Sequence, residues 1–158
     1  MSVIKDRVTA RIDQPRVVFL IGMRINKPWM LHKWLPVMAA MPKMLVELSK
    51  NPELGLLWYK TWFGRNIITV QYWDSAEKLI AYAKSRDAAH LPAWKKFNQA
   101  IGTSGIVGIW HETYIIQEGN YENVYANMPP FGLGATTNLT PATGQMAAAA
   151  KRLNSSQS

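Results

Sequence analysis

Two of the chain's three histidines stand in one stretch, His90-Leu-Pro-Ala-Trp-Lys-Lys-Phe-Asn98 followed closely by Gly108-Ile-Trp-His-Glu-Thr-Tyr114. Imidazole is the side chain whose unperturbed pKa lies nearest neutrality, so His90 and His111 can each take and return a proton at ordinary pH. Each has a tryptophan and a hydrogen-bonding residue close by in the chain. Acid–base chemistry on a small molecule held against aromatic rings is what such a grouping supports. On a helix, positions 90, 94 and 98 repeat at four-residue spacing, which puts His90, Trp94 and Asn98 on one face. On a strand, His111 shares a face with Val107, Ile109, Thr113 and Ile115, while Trp110, Glu112 and Tyr114 point the other way. Ordinary structural roles compete with these: His90 as a helix cap with Trp94 and Phe97 in the core, and His111 as a hydrogen-bonded core histidine. Arg24 and Asn26 close an earlier strand on one side. They would orient an anionic or carbonyl group, or serve only as a strand end and helix cap.

These residues need elements to position them. Arg16 to Asn26 alternates with apolar residues on both faces, which predicts a strand covered on both sides. Asn26-Lys-Pro-Trp then predicts a helix start, and Trp34, Val37, Met38, Met41, Met44, Leu45 and Leu48 form a helical stripe that Pro36 and Pro42 interrupt, giving two helical pieces or a kinked helix. Leu54 to Trp62 and Ile67 to Trp73 are β-rich runs joined by the turn residues Phe-Gly-Arg-Asn. Asp74-Ser-Ala-Glu77 has the capping-box pattern, so a helix follows it. A short helix is expected from Leu91 to about Ile101, and a strong strand from Ile106 to Ile116. The order strand, helix, strand, strand, helix, strand predicts an α+β fold: a ferredoxin-like antiparallel sheet with helices on one face.

Helices hide one face only. Strands that are apolar on both sides therefore predict a homodimer in which two sheets face each other. The organisation expected is an N-terminal arm over residues 1–15, the α+β domain over 16–119, and an extended C-terminal segment over 120–158 with a frayed end beyond Thr143.

Composition narrows the chemistry further. With no cysteine, disulfides, thiolate catalysis and Cys-ligated zinc or iron–sulfur sites are excluded. His90 and His111 have no third residue spaced to complete a metal site. The formal charge of +8 is spread in ones and twos along the chain, not in the dense run that tracks a phosphate backbone, so specific nucleic-acid binding is not expected. No apolar run approaches the roughly 20 residues of a membrane span, and the charged N-terminus lacks a secretory core, which points to a cytoplasmic protein.

Six blocks carry a resemblance: Ile21-Gly-Met-Arg-Ile-Asn-Lys-Pro-Trp29, Asn51-Pro-Glu-Leu-Gly55, Gln71-Tyr-Trp73, His90-Leu-Pro-Ala-Trp94, Gly108-Ile-Trp-His-Glu-Thr-Tyr114 and Asn127-Met-Pro-Pro-Phe-Gly-Leu-Gly134. Together they resemble the monooxygenase-like family typified by a fumagillin-pathway monooxygenase. That family is similar in fold to the dimeric α+β barrels, which include cofactor-free antibiotic-biosynthesis monooxygenases, haem-degrading oxygenases and haem-containing dehydratases and peroxidases. The resemblance implies a small dimeric oxygenase acting on an aromatic or polyketide-like apolar molecule without a cofactor, with His111 or His90 as the base. Trp94, Asn98, Arg24, Asn26 and Trp110 would be its substrate-binding residues. An alternative is a haem enzyme with His111 or His90 as axial ligand, and a third reading is a non-catalytic binding protein of the same fold.

Overall fold

The computed structural model describes residues 2–85, 95, 97–99 and 101–153. Its centre is a four-stranded antiparallel sheet of β2 (Arg16–Ile25), β3 (Leu56–Trp62), β4 (Asn66–Trp73) and β5 (Val107–Ile116), in the order β3-β4-β2-β5. That order is the ferredoxin-like one. β2 and β4 lie inside the sheet, and β5 is an edge strand. A separate two-stranded sheet pairs β1 (Val8–Ala10) with β6 (Leu139–Pro141), so the N-terminal arm is tied to the C-terminal segment.

Between β2 and β3 the helical stripe is divided as the prolines require. Helix α1 (Leu31–Met38) contains Pro36, and α2 (Ala40–Lys50) carries Pro42 in its first turn, where a missing amide hydrogen costs little. The helix starts later than the Asn26-Lys-Pro signal predicts: Met30 is the residue before α1, no side chain caps it, and residues 27–30 form a turn closed by Met30 N donating to Lys27 O at 3.1 Å. β3 also starts later, at Leu56, because Pro52–Leu54 winds into one 3₁₀ turn that ends at Gly55 with φ 94°.

Helix α3 (Ala76–Lys84) is capped by Ser75, whose hydroxyl accepts from Lys78 N, and not by Asp74 as the box pattern suggests. Asp74 is engaged elsewhere. Its Oδ1 accepts from Arg16 Nη1 at 3.0 Å and its Oδ2 from Lys78 Nζ at 2.6 Å. The hydrogen bond from Lys78, together with the positive charges of Lys78 and Arg16, holds the carboxyl below its ordinary pKa. A depressed carboxyl pKa contributes stability that is complete above the unfolded value of about 3.9 and disappears as pH falls through the folded value. Asp74→Asn is therefore expected to cost about 1–2 kcal/mol at neutral pH, between an exposed and a fully buried pair. Thermal melts should show that loss shrinking as the solution is acidified below the unfolded carboxyl value, and a constant difference at all pH values would count against it.

Alternation sends Val17, Met23, Ile25, Ile67, Trp73 and Val107 to the helix-covered face. There they form two separate cores. One joins Val17 and Trp73 to Leu48, Leu79 and Tyr82, and the other joins Met23, Ile25 and Val107 to Ile101 and Ile106, with Trp34, Val37, Met38 and Phe97 packed against it. The opposite face carries Val18, Leu20, Ile68 and Val70, with Trp110 laid over Gly22. One end of this face is covered by the C-terminal segment, where Phe131 meets Trp58 edge-on at 4.7 Å.

That segment departs from its expectation at its far end. Asn120 to Met128 joins the N-terminal arm through isolated bridges, Val8 to Tyr125 and Ile4 to Met128. Beyond Thr143 the chain is not frayed through Leu153: it forms a 3₁₀ turn and a short helix, Ala149–Leu153. Arg152 is buried there against Glu122, and its Nη1 donates to the carbonyls of Met146 and Ala147.

Candidate functional site

The strand register shows what lies between the two cores. On the helix-covered face, Ile109, Met23 and Ile67 form one cross-strand row, and Ile115, Val17 and Trp73 form another, and both rows are apolar. The two rows between them are His111–Ile21–Thr69–Thr61 and Thr113–Phe19–Gln71–Tyr59. Six of these eight side chains carry a hydroxyl, amide or imidazole. They make a partly polar floor across the middle of the sheet's helix-covered face.

The inner part of the floor is buried and well ordered by its own hydrogen bonds. Thr69 is 2% exposed and Gln71 4%. The hydroxyls of Thr61 and Thr69 are 2.9 Å apart, so one donates to the other and one hydroxyl hydrogen is left for a third group. Trp73 Nε1 donates to Gln71 Oε1 at 2.8 Å, which fixes the amide so that its NH₂ faces away from the indole. Among the described residues that NH₂ meets only Met41 Sδ of α2 at 3.9 Å, a weak acceptor. An amide donor is thus aimed under the helix and poorly satisfied. A buried group of this kind costs stability unless something polar occupies the space.

Toward β5 the floor is increasingly exposed. Phe19 and Ile21 are half-buried, and His111 and Thr113 are exposed. The Phe19 and His111 rings lie 5.7 Å apart at 45°. Among the described residues the His111 imidazole has no hydrogen-bond partner. A histidine holding haem iron needs its second ring nitrogen oriented by a carboxylate or carbonyl, and none of the described residues supplies one, so they do not fit that group.

The other residues singled out in the sequence divide between the two faces. Trp110, Glu112 and Tyr114 lie on the face away from the helices, with Tyr114 Oη donating to Glu112 Oε2 at 2.7 Å, an arrangement that pushes the phenol pKa up. Arg24 is on that face too, bonded to Asn66 Oδ1 at 3.0 Å, and Asn26 stands near it beside Gly108. Arg24, Asn26 and Trp110 therefore do not share a face with His111. Asn98 is helical and exposed, next to Phe97, which packs on the second core. His90 and Trp94 lie outside the described residues.

Sequence reasoning missed Thr61, Thr69, Gln71 and Phe19 as floor residues. The signal was present in β4, where Thr69 and Gln71 alternate with apolar residues on the face that otherwise builds the core.

A ferredoxin-like α+β domain, with a partly polar band on the helix-covered face of its sheet, is the class defined by these features. Residues 16–133 match the monooxygenase af470-like family, and the chain belongs to that family. Monooxygenase af470 of Aspergillus fumigatus is 32% identical over 129 residues, which cover 75% of this chain and 45% of that protein. This chain thus spans about half the length of the curated relative it matches. Among solved structures, an aldoxime dehydratase in complex with butyraldoxime aligns over 93% of this chain and 41% of its own, with a TM-score of 0.60 and 14% identity, a likeness of fold. A cofactor-independent oxygenase from Streptomyces nogalater aligns over 65% of this chain and 93% of its own, at 8% identity and a TM-score of 0.46.

Proposed function

We propose that this chain is an oxygenase-like enzyme that binds a planar, electron-rich aromatic or polyketide-like molecule in a trough between this floor and the helices and uses His111 as its base. The observation that supports this reading is the pair of partly polar rows between two apolar cores, with a weakly satisfied amide donor at the buried end and an imidazole at the exposed end. Strands two apart in a sheet are separated by about 10 Å, so a fused-ring molecule lying on Phe19 and Ile21 reaches from β5 to β4. Its ring oxygen accepts from the Gln71 amide and the Thr61–Thr69 hydroxyl pair. Its acidic C–H or O–H is presented to His111.

The chemistry balances without a cofactor. His111 removes a proton, and the resulting carbanion or phenolate gives an electron to O₂. The two radicals combine to a peroxide, which loses water to leave a ketone: an activated CH₂ is oxidised by four electrons, and O₂ is reduced by four to one ketone oxygen and one water. The residues contribute proton transfer, a planar hold and exclusion of bulk water. Oxygen consumption with a panel of anthrones and hydroquinones tests it. Uptake with at least one member is expected, and no uptake above the protein-free rate with any of them contradicts the reading.

A homodimer belongs to the same proposal. Among the described residues no helix layer covers the face carrying Val18, Leu20, Val70 and Trp110, and a second copy's sheet would cover it. Gly22 is needed for that surface, because a Cβ there would stand 2.6 Å from Trp110 Nε1 and 2.9 Å from the Ile67 carbonyl oxygen. Gly22→Val is expected to displace the indole, cost about 1–3 kcal/mol and weaken self-association in sedimentation equilibrium. A wild-type monomer at all concentrations contradicts the dimer.

A further inference from the structure

One end of the sheet is both apolar and positively charged. The loop from β2 to α1 and the β3–β4 hairpin leave from this end side by side, because Ile25 N donates to Arg65 O at 3.0 Å and Arg65 Nε donates back to Ile25 O at 3.4 Å. Each presents one large ring to solvent: Trp29 and Phe63 are each 75% exposed, the most exposed of the large apolar residues described. Trp29 is held outward by its neighbours. Met30 N closes the turn on Lys27 O, and Trp34 Nε1 binds the Pro28 carbonyl at 3.0 Å, so the residue between them cannot fold back onto the helix. Leu31, in the first turn of α1, is 52% exposed beside it.

The charge of these two segments has one sign. Arg24, Lys27, Lys33 and Arg65 each lie within five residues of one of the two rings along the chain, and none of the four makes an ion pair among the described residues. No Asp or Glu occurs between Asp13 and Glu47, or between Glu53 and Asp74, so both segments that build this end are free of acidic residues. Exposed rings on rigid turns within a cationic collar match the interface of an anionic bilayer, where tryptophan sits at headgroup depth and lysine and arginine meet lipid charge. A protein partner would have to supply both a socket for two separate rings and matching acidic groups. A lipid surface supplies both without shape matching.

We propose that the chain docks reversibly on anionic membrane surfaces through Trp29 and Phe63, with Arg24, Lys27, Lys33 and Arg65 as the electrostatic collar. No helix among the described residues is long and apolar enough to cross a membrane, so the contact is peripheral. The docking does not depend on the chemistry proposed for the trough.

Cosedimentation of the full chain with phosphatidylcholine vesicles, with and without phosphatidylserine, tests the proposal. Binding is expected only to the phosphatidylserine vesicles and should fall as salt is raised. In the double variant Trp29→Ala with Phe63→Ala, binding should fall at least about tenfold, and quenching of tryptophan fluorescence by brominated acyl chains should be lost in Trp29→Ala alone. Both rings are exposed, so unchanged far-ultraviolet circular dichroism is expected in each variant. Equal sedimentation of wild type and double variant, or no preference for phosphatidylserine, overturns the proposal. So does retention of duplex DNA by wild type and double variant alike without vesicle binding, which would assign the collar to a nucleic acid.

Discussion

His111→Ala is expected to lower the rate of oxygen uptake by about 10²–10⁴-fold, the range for loss of a positioned base, while leaving the fold and Tm nearly unchanged. The two halves of that expectation have separate causes. The rate falls because no other titratable group stands on the two floor rows, apart from the Tyr59 phenol at the far edge on β3. The fold persists because His111 is exposed on an edge strand and its one described ring contact is with Phe19. His111→Gln retains hydrogen bonding but not basicity, so it should bind substrate with a near-normal KM and still lose kcat. Loss of kcat/KM through KM alone would mean that His111 only orients the substrate.

Trp73→Ala is expected to have the largest effect on stability. The side chain is 1% exposed at the centre of the first core, and it meets Tyr82 at 5.9 Å. Truncation of a buried tryptophan costs about 3–5 kcal/mol, a large part of the 5–15 kcal/mol that a domain of this size has in total. Trp73→Phe separates packing from hydrogen bonding. It keeps most of the buried ring but leaves Gln71 Oε1 without its donor, at a cost of about 1–3 kcal/mol. The freed amide can then rotate, so its NH₂ is no longer aimed under α2. Urea unfolding should show the smaller stability loss, and kinetics on any active substrate should show a raised KM with little change in kcat. An unchanged KM in Trp73→Phe would remove the Gln71 amide from the binding site.

Much of the fold is legible in the sequence because its signals are periodic. Two-residue alternation in β2, β4 and β5 gives both the strands and their faces, and Pro36 and Pro42 divide the helical stripe where the structure divides it. The misplaced boundaries have local causes. Asn26 could cap a helix by type, yet Ile106 O takes its backbone N–H at 3.0 Å, and the helix waits until Leu31. Asp74 could cap α3, but the positive charges of Arg16 and Lys78 hold its carboxylate and leave the cap to Ser75.

The site was half legible. Alternation correctly puts His111 opposite Trp110, but only the pairing of four strands reveals that His111 and Thr61 end the same row, with Ile21 and Thr69 between them. Row membership is a property of register, which depends on turn lengths and on the irregularity between Leu56 and Trp58 in β3. Grouping candidates by their distance along the chain, as with Trp110 beside His111, joins residues that the sheet holds apart. Arg24 and Asn26 go with Trp110 for the same reason.

The central claim is that a planar substrate lies on the helix-covered side of the sheet against His111. The chain has three histidines, so the imidazole carbon-bound proton resonances can be assigned by substituting each in turn and followed during titration with an anthrone or its quinone product. The account predicts a saturable shift of the His111 resonance, with His32 and the Trp110 indole unmoved. Saturable movement of the Trp110 indole with His111 unmoved would put the ligand on the other face and contradict it.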